Sequence, residues 1–151
     1  MVTQTNDLGD ALRELESRCE GDRLRLRSLA NRARHRVIRG LLNWCAGQRC
    51  AFVDELHEVR ACVEDHRGLS DAALTRPDGR AHLRAVTIAD LVAAAQRIEA
   101  SATTAYRRAL ARPMPRPARL VLQSHLYVMD RVCLVLAQMQ RRSRPRKVNG
   151  R

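Results

Sequence analysis

Apolar side chains return every three or four residues along most of this chain, which is the period of an amphipathic α-helix and not of a strand. The first run covers roughly residues 7–30. Its stripe is Leu8, Ala11, Leu12, Leu15, Cys19, Leu26 and Leu29, with Gly21 tolerated inside. A turn is predicted at residues 31–35. The second run covers about residues 36–66, on Ile38, Leu41, Leu42, Cys45, Phe52, Leu56, Val59 and Val63. It closes at Arg67-Gly68, a basic residue followed by a glycine that suits a helix C-terminus.

Residues 68–80, GLSDAALTRPDGR, interrupt the period. Pro77-Asp78-Gly79 is a turn signal, and this stretch reads as the long connection of the fold, with room for a short helix at residues 70–74. A third helix starts at about Ala81, or at the cap-like Thr87-Ile88-Ala89-Asp90, and runs to Leu110. Its stripe includes Val92, Ala95, Ala102 and Tyr106. Three prolines in residues 111–117, ARPMPRP, forbid a continuous helix, and Pro115 or Pro117 suits the first turn of the next one. The fourth helix runs to about Arg141 on Val121, His125, Val128, Val132, Val135 and Met139. No strand pattern and no internal repeat is visible. The expected architecture is an all-α, up-down four-helix bundle over residues 1–140, followed by a basic, disordered tail over residues 141–151.

Two titratable residues lie inside these stripes, Glu99 on the third helix and His125 on the fourth. A buried carboxylate has to be paired, hydrogen-bonded or protonated, because an isolated charge in the core costs several kcal/mol or more. His125 is the first candidate partner for Glu99. Tyr106, an arginine and Gln48 are the others. The structural reading is a polar network inside the bundle; the functional reading is a residual ligand or catalytic pair. No nucleophile–base–orienter set is legible, and Ser124 points to a different face from His125. The segment Asp54-Glu55-Leu56-His57-Glu58 looks like a metal cluster, but at about 100° per residue Asp54, His57 and Glu58 face solvent. Only Glu55 approaches the core edge. These residues are expected to form a solvated acidic face pairing with nearby arginines.

Composition adjusts the picture in three ways. The aromatic share is 3%, so the core must be built from Leu, Val, Ile and Ala, the palette of helix packing. The five cysteines are odd in number and contain no Cys-x-x-Cys, which points to reduced thiols in a cytoplasmic protein, not to a disulfide framework or a zinc site. There is no secretory leader pattern. The longest apolar region, residues 120–139, contains His125, Asp130 and Arg131, which argues against a membrane span.

The net charge of +12 comes almost entirely from arginine, Lys147 being the single lysine. Residues 23–53 hold eight arginines and no acid, and the cluster includes Arg32, Arg34, Arg36 and Arg39 around the first turn. The tail adds Arg141, Arg142, Arg144, Arg146, Lys147 and Arg151. In an up-down bundle these clusters fall at opposite ends, as two distinct patches. Such surfaces favour polyanions or an acidic partner, with salt-sensitive and sequence-independent binding. No base-reading helix motif is present and stacking aromatics are scarce.

Several segments, taken in order, resemble a family of small bacterial ferritin-like proteins of unknown function. LGDALRELE (8–16) is similar to its opening helix. AGQRCAFVDELHEVR (46–60) is similar to a Glu-Arg-x-x-Phe-x-x-Glu-Leu segment in the second helix. AAAQRIEASATTAYRRAL (93–110) is similar to a third-helix segment with Glu-x-x-Glu, small residues and a tyrosine, and MPRPARLVLQSHL (114–126) to the Pro-Pro-x-x-Arg opening of the fourth. The resemblance implies a ferritin-like bundle. Di-metal members of that architecture take a Glu from two helices and a Glu-x-x-His from the other two. Here the second-helix ligand positions read Gln48 and Ala51, the first Glu of the third helix reads Gln96, and the fourth helix has no Glu-x-x-His. Amides and arginines cannot supply the negative charge such a site needs. No metal and no cofactor is therefore expected.

The leading functional expectation is a non-enzymatic interaction or structural protein. Its partners would be a second copy of itself and an acidic protein or polyanion. Leu126, Leu134 and Leu136 on the fourth helix and Leu24 on the first lie outside the stripes. With Trp44 at the edge of the second stripe, they point to a homodimer. The alternatives are nucleic-acid binding through the arginine patches, and metal binding or oxidoreductase chemistry through Glu99 and His125.

Overall fold

The predicted periodicities fold into four helices, α1 (Thr3–Arg32), α2 (Arg36–Glu64), α3 (Ile88–Leu110) and α4 (Arg116–Ser143). The structure is a computed structural model and describes residues 3–64 and 86–143. The long connection at residues 68–80, the Arg67-Gly68 stop and most of the tail lie outside the described residues. Among the described residues there is no strand.

Local chemistry sets the helix ends. Thr87 caps α3: its hydroxyl accepts from the Asp90 backbone N–H at 3.1 Å, and its own N–H donates to the Asp90 carboxylate at 3.1 Å. The expected proline-rich break separates α3 from α4. Both short turns are closed by an arginine from the following helix. Arg39 donates twice to the Ala33 carbonyl, at 2.9 and 2.7 Å. Arg119 donates to the carbonyls of Leu110 and Arg112, at 3.2 and 3.5 Å. Each guanidinium satisfies carbonyl oxygens that the end of a helix leaves without partners. The α4 helix runs through Arg141 and Arg142 to Ser143, so the first residues of the expected tail are helical.

Two stacked apolar clusters give the direction of every helix. One gathers Leu29, Ala30 and Ala33 from the end of α1, Ile38 and Leu42 from the start of α2, Leu91 and Val92 from the start of α3, and Val132 and Leu136 from the end of α4. The other gathers Leu8 and Leu12, Phe52 and Leu56, Tyr106 and Ala109, and Leu122 from the opposite halves. The chain is therefore two antiparallel hairpins, α1–α2 and α3–α4, and α4 runs parallel to α1. Strict up-down alternation is replaced by one long crossover at residues 65–87. Side by side, α1 packs on α2 and α3, and α4 on α3 and α2.

This corrects the expectation that the two arginine clusters lie at opposite ends. The α1–α2 turn and the C-terminal end of α4 share one end of the bundle.

The stripes of α1 and α3 are buried as expected. On α4 the buried line is Ala118, Leu122, His125, Met129, Val132 and Leu136, rotated from the expected one. Val135 is exposed and Leu136 is core; the longer Leu and Met side chains fill the centre with Val132, while Val121 and Val128 are half-buried at its edge. Leu24, Trp44, Leu120, Tyr127 and Leu134 stay exposed. Among the described helices α4 alone has the length and hydropathy of a membrane span, and 28% of its apolar window is buried.

Candidate functional site

Between the two apolar clusters Asp22 from α1, Arg49 from α2 and Glu99 from α3 turn inward, and His125 from α4 turns inward beside them, within the second cluster. Their relative exposures are 2%, 2%, 1% and 1%. Each fills a gap in its own stripe. Asp22 lies between Cys19 and Leu26, Arg49 between Cys45 and Phe52, Glu99 between Ala95 and Ala102, and His125 between Leu122 and Met129.

The partner of Glu99 is Arg49, and not His125. The Arg49 guanidinium reaches from α2 to α3 and donates to Glu99 Oε2 at 2.6 Å, while its Nε lies 4.0 Å from Asp22 Oδ2. It also sits 5.5 Å from the centre of the Phe52 ring, within cation–π range. Burial pushes the carboxyls of both Asp22 and Glu99 upward, and the Arg49 charge opposes this. Burial also works against the Arg49 charge, but the Glu99 and Asp22 carboxylates more than restore it, so the guanidinium stays protonated. Asp22 Oδ2, Arg49 Nε and Glu99 Oε1 have no hydrogen-bond partner among the described residues.

His125 belongs to a second chain of contacts. Its Nδ1 lies 3.1 Å from the Tyr106 hydroxyl and its Nε2 lies 2.9 Å from Glu55 Oε2. Its ring stacks on Phe52 with centroids 3.9 Å apart. The Tyr106 hydroxyl in turn lies 3.3 Å from Cys19 Sγ. Burial lowers the His125 pKa against the opposing pull of Glu55, which favours the neutral ring. A neutral ring protonated on Nε2 donates to Glu55 and accepts the Tyr106 proton on Nδ1, and one consistent hydrogen-bond direction then runs from the Cys19 thiol through Tyr106 and His125 to Glu55. Burial pushes the thiols of Cys19 to about 11 and Cys45 to about 12, so both are protonated and poor nucleophiles at neutral pH.

The other predicted residues are placed as follows. Tyr106 is fully buried in this layer, whereas Gln48 is only half-buried at its edge. Asp54, His57 and Glu58 are exposed. Glu55, half exposed, is the one acid of that segment to reach the core. Arg34, Arg36, Arg39, Arg141 and Arg142 are exposed and Arg32 is half-buried, all at the same end; Arg144, Arg146 and Lys147 lie outside the described residues.

Arg49 and Asp22 are the two site residues that sequence reasoning missed. The signal was present: both fall on the buried face of their helices at steps of three and four. Arg49 was passed over because arginine is almost never fully buried unless paired. The residues that do converge do not suit a metal. A divalent ion beside Glu99 and Asp22 would have to share the space with a fixed guanidinium charge. Among the described residues, no group of three or more His, Cys, Asp or Glu side chains is arranged to hold an ion. Comparison with protein-family models, with curated proteins and with solved structures finds no match to this chain.

Proposed function

We propose that this chain is a non-enzymatic interaction protein on a ferritin-like scaffold whose metal-binding side chains have been replaced. The observation that carries the reading is Arg49. A guanidinium between two buried carboxylates supplies the positive charge that a metal supplies in di-metal bundles, and it needs no bound ion to do so. The long crossover between α2 and α3 is also the connectivity of ferritin-like bundles. The remaining interior groups are a neutral histidine and protonated thiols, which offer no activated nucleophile. Five unpaired cysteines fit a reducing, cytoplasmic setting.

The test is metal analysis of protein purified without chelators from cells supplied with iron, manganese and zinc. The expected content is far below one ion per chain. One tightly held ion per chain overturns the reading and returns Glu99 and His125 to the role of ligands.

A second copy of the chain is the first partner in this reading. On α4, Leu120, Tyr127 and Leu134 recur every seven residues, each more than half exposed, which makes a straight apolar line on the outer surface. Light scattering is expected to show a dimer, and Tyr127→Lys combined with Leu134→Lys to shift it to monomer without loss of helix content. A wild-type monomer at high concentration rules the dimer out.

A further inference from the structure

The crossover topology merges two arginine clusters that are far apart in sequence. Residues 23–53 and 131–151 contain no Asp or Glu, as is also true of residues 100–129, and the hairpin arrangement brings the end of one helix pair beside the end of the other. Arg34, Arg36 and Arg39 at the α1–α2 turn, and Arg141 and Arg142 at the end of α4, are all exposed at this end. Among the described residues none of these five has a carboxylate partner. At the far end three arginines are neutralised: Arg13 binds Asp10 and Glu64, Arg60 binds Glu16 and Glu64, and Arg112 binds Asp7, while Arg108 and Arg116 are exposed without a carboxylate partner among the described residues. Among the described residues the acid nearest the arginine-rich end, Asp90, is held in the Thr87 cap.

We infer that this end of the bundle is a single binding site for the phosphate backbone of double-stranded nucleic acid. It names the polyanionic partner of the interaction protein proposed above and rests on that reading. Three observations choose this ligand over others. The cations are all guanidinium groups, whose planar fork matches phosphate oxygens. The exposed residues among them are Asn31, His35 and Gly40, polar or small, with Val37 and, at the start of α3, Ile88 the apolar exceptions. A protein interface of standard size has an apolar, aromatic-rich centre, which this surface lacks. The arginine turn itself has no Trp, Tyr or Phe, and the single half-exposed Trp44 further along α2 is not the row of aromatics on which successive single-stranded bases stack. Sequence-independent contact with a duplex backbone requires neither an apolar centre nor a stacking platform.

The experiment is fluorescence anisotropy of a labelled random duplex of about 20 base pairs, titrated with the full chain at several salt concentrations. With about four phosphates contacted, affinity should fall about 100-fold between about 50 and 200 mM salt, a slope near −3.6 in log–log form. Replacing Arg34, Arg36, Arg141 and Arg142 together by Ser should abolish most of the binding and flatten the slope. Replacing Arg107, Arg108, Arg112 and Arg116 by Ser removes the same charge elsewhere and should leave binding within about threefold, after screening of long-range charge. Equal weakening by the two variants overturns the site in favour of net charge alone. Absence of duplex binding by the wild type at about 50 mM salt overturns it outright. Displacement of the duplex by poly-glutamate at equal charge concentration overturns the phosphate assignment in favour of an acidic protein. Metal content is read separately, so failure here and failure of the interaction-protein reading give different results.

Discussion

Arg36 and Arg49 lie on the same helix, less than four turns apart, and the molecule treats them in opposite ways. Arg36 is exposed at the arginine-rich end, with no carboxylate partner among the described residues. Arg49 is fully buried between Asp22 and Glu99, with its ring contact to Phe52. The difference comes from position around the helix. Arg49 falls on the face that carries Cys45, Phe52 and Leu56, and Arg36 falls on the outer face. A charge that cannot reach water must find countercharge, so the central region is fully committed to internal contacts. A charge in water needs none, so the end region keeps its capacity to bind something else. Stability and binding are thus separated in space. Substitutions in the centre should change stability, and substitutions at the end should change binding.

The sharpest way to break this division is Arg49→Met. It leaves two carboxyls buried without their cation and should cost about 3–5 kcal/mol in urea unfolding. A cost below about 1 kcal/mol would show that the central layer is not tightly coupled. Next in size is Glu99. Glu99→Gln keeps an oxygen to accept from Arg49 and should cost about 1–2 kcal/mol, whereas Glu99→Leu removes the acceptor and should cost more, about 3 kcal/mol. Equal losses from Gln and Leu would mean that the charge of Glu99 matters and its hydrogen bond does not.

Asp22 tests the same layer through pH. Burial raises its pKa above the unfolded value, so the folded state binds the proton more tightly. That contribution is fully present below the unfolded carboxylate range, about pH 4, and is lost as pH rises through the higher folded pKa. Asp22→Asn removes this titration. Unfolding curves at acid and neutral pH should therefore show the variant gaining relative to the wild type as pH rises, and the opposite trend would place a stabilised carboxylate at Asp22. Smaller still is the surface pair Arg112–Asp7, whose groups are both substantially exposed. Arg112→Ala should cost no more than about 0.5 kcal/mol, and 1 M salt should erase it. The smallest stability change is expected for Arg36→Ser, within about 0.5 kcal/mol of zero. A large loss there would dissolve the distinction between end and centre.

The helices were legible in the sequence because their signals are local. The Thr87–Asp90 cap, the three prolines of residues 111–117 and the steps of three and four each act within a turn or two of chain. The stripe of α3 correctly placed Glu99 among buried neighbours. The relative direction of the hairpins was not legible, because both an alternating bundle and one with a crossover satisfy the same four stripes. Only the pairing of cluster with cluster separates them. Arg49 was missed for a related reason. Its place on the buried face could be read from Cys45 and Phe52, but the countercharge that makes this tolerable comes from α1 and α3, helices distant in the chain. The exchange of partners at His125, with Glu55 and Tyr106 in place of Glu99, has the same long-range origin.

The central polar layer also fixes how the two hairpins meet. Seen as leucine, alanine and valine alone, the surfaces of α1–α2 and α3–α4 are repetitive, and sliding one past the other by a turn would still bury similar groups. Such a slip moves a helix by about 5.4 Å, which would carry Glu99 out of reach of Arg49, His125 away from Glu55, and Tyr106 away from Cys19 together. The buried ions thus act as a key that admits one alignment, a role that apolar packing performs poorly. If Asp22, Arg49, Glu99 and His125 were exchanged together for apolar residues of matching volume, the expected product is a bundle of equal or greater stability. Its amide NMR spectrum should be broadened by exchange among several alignments.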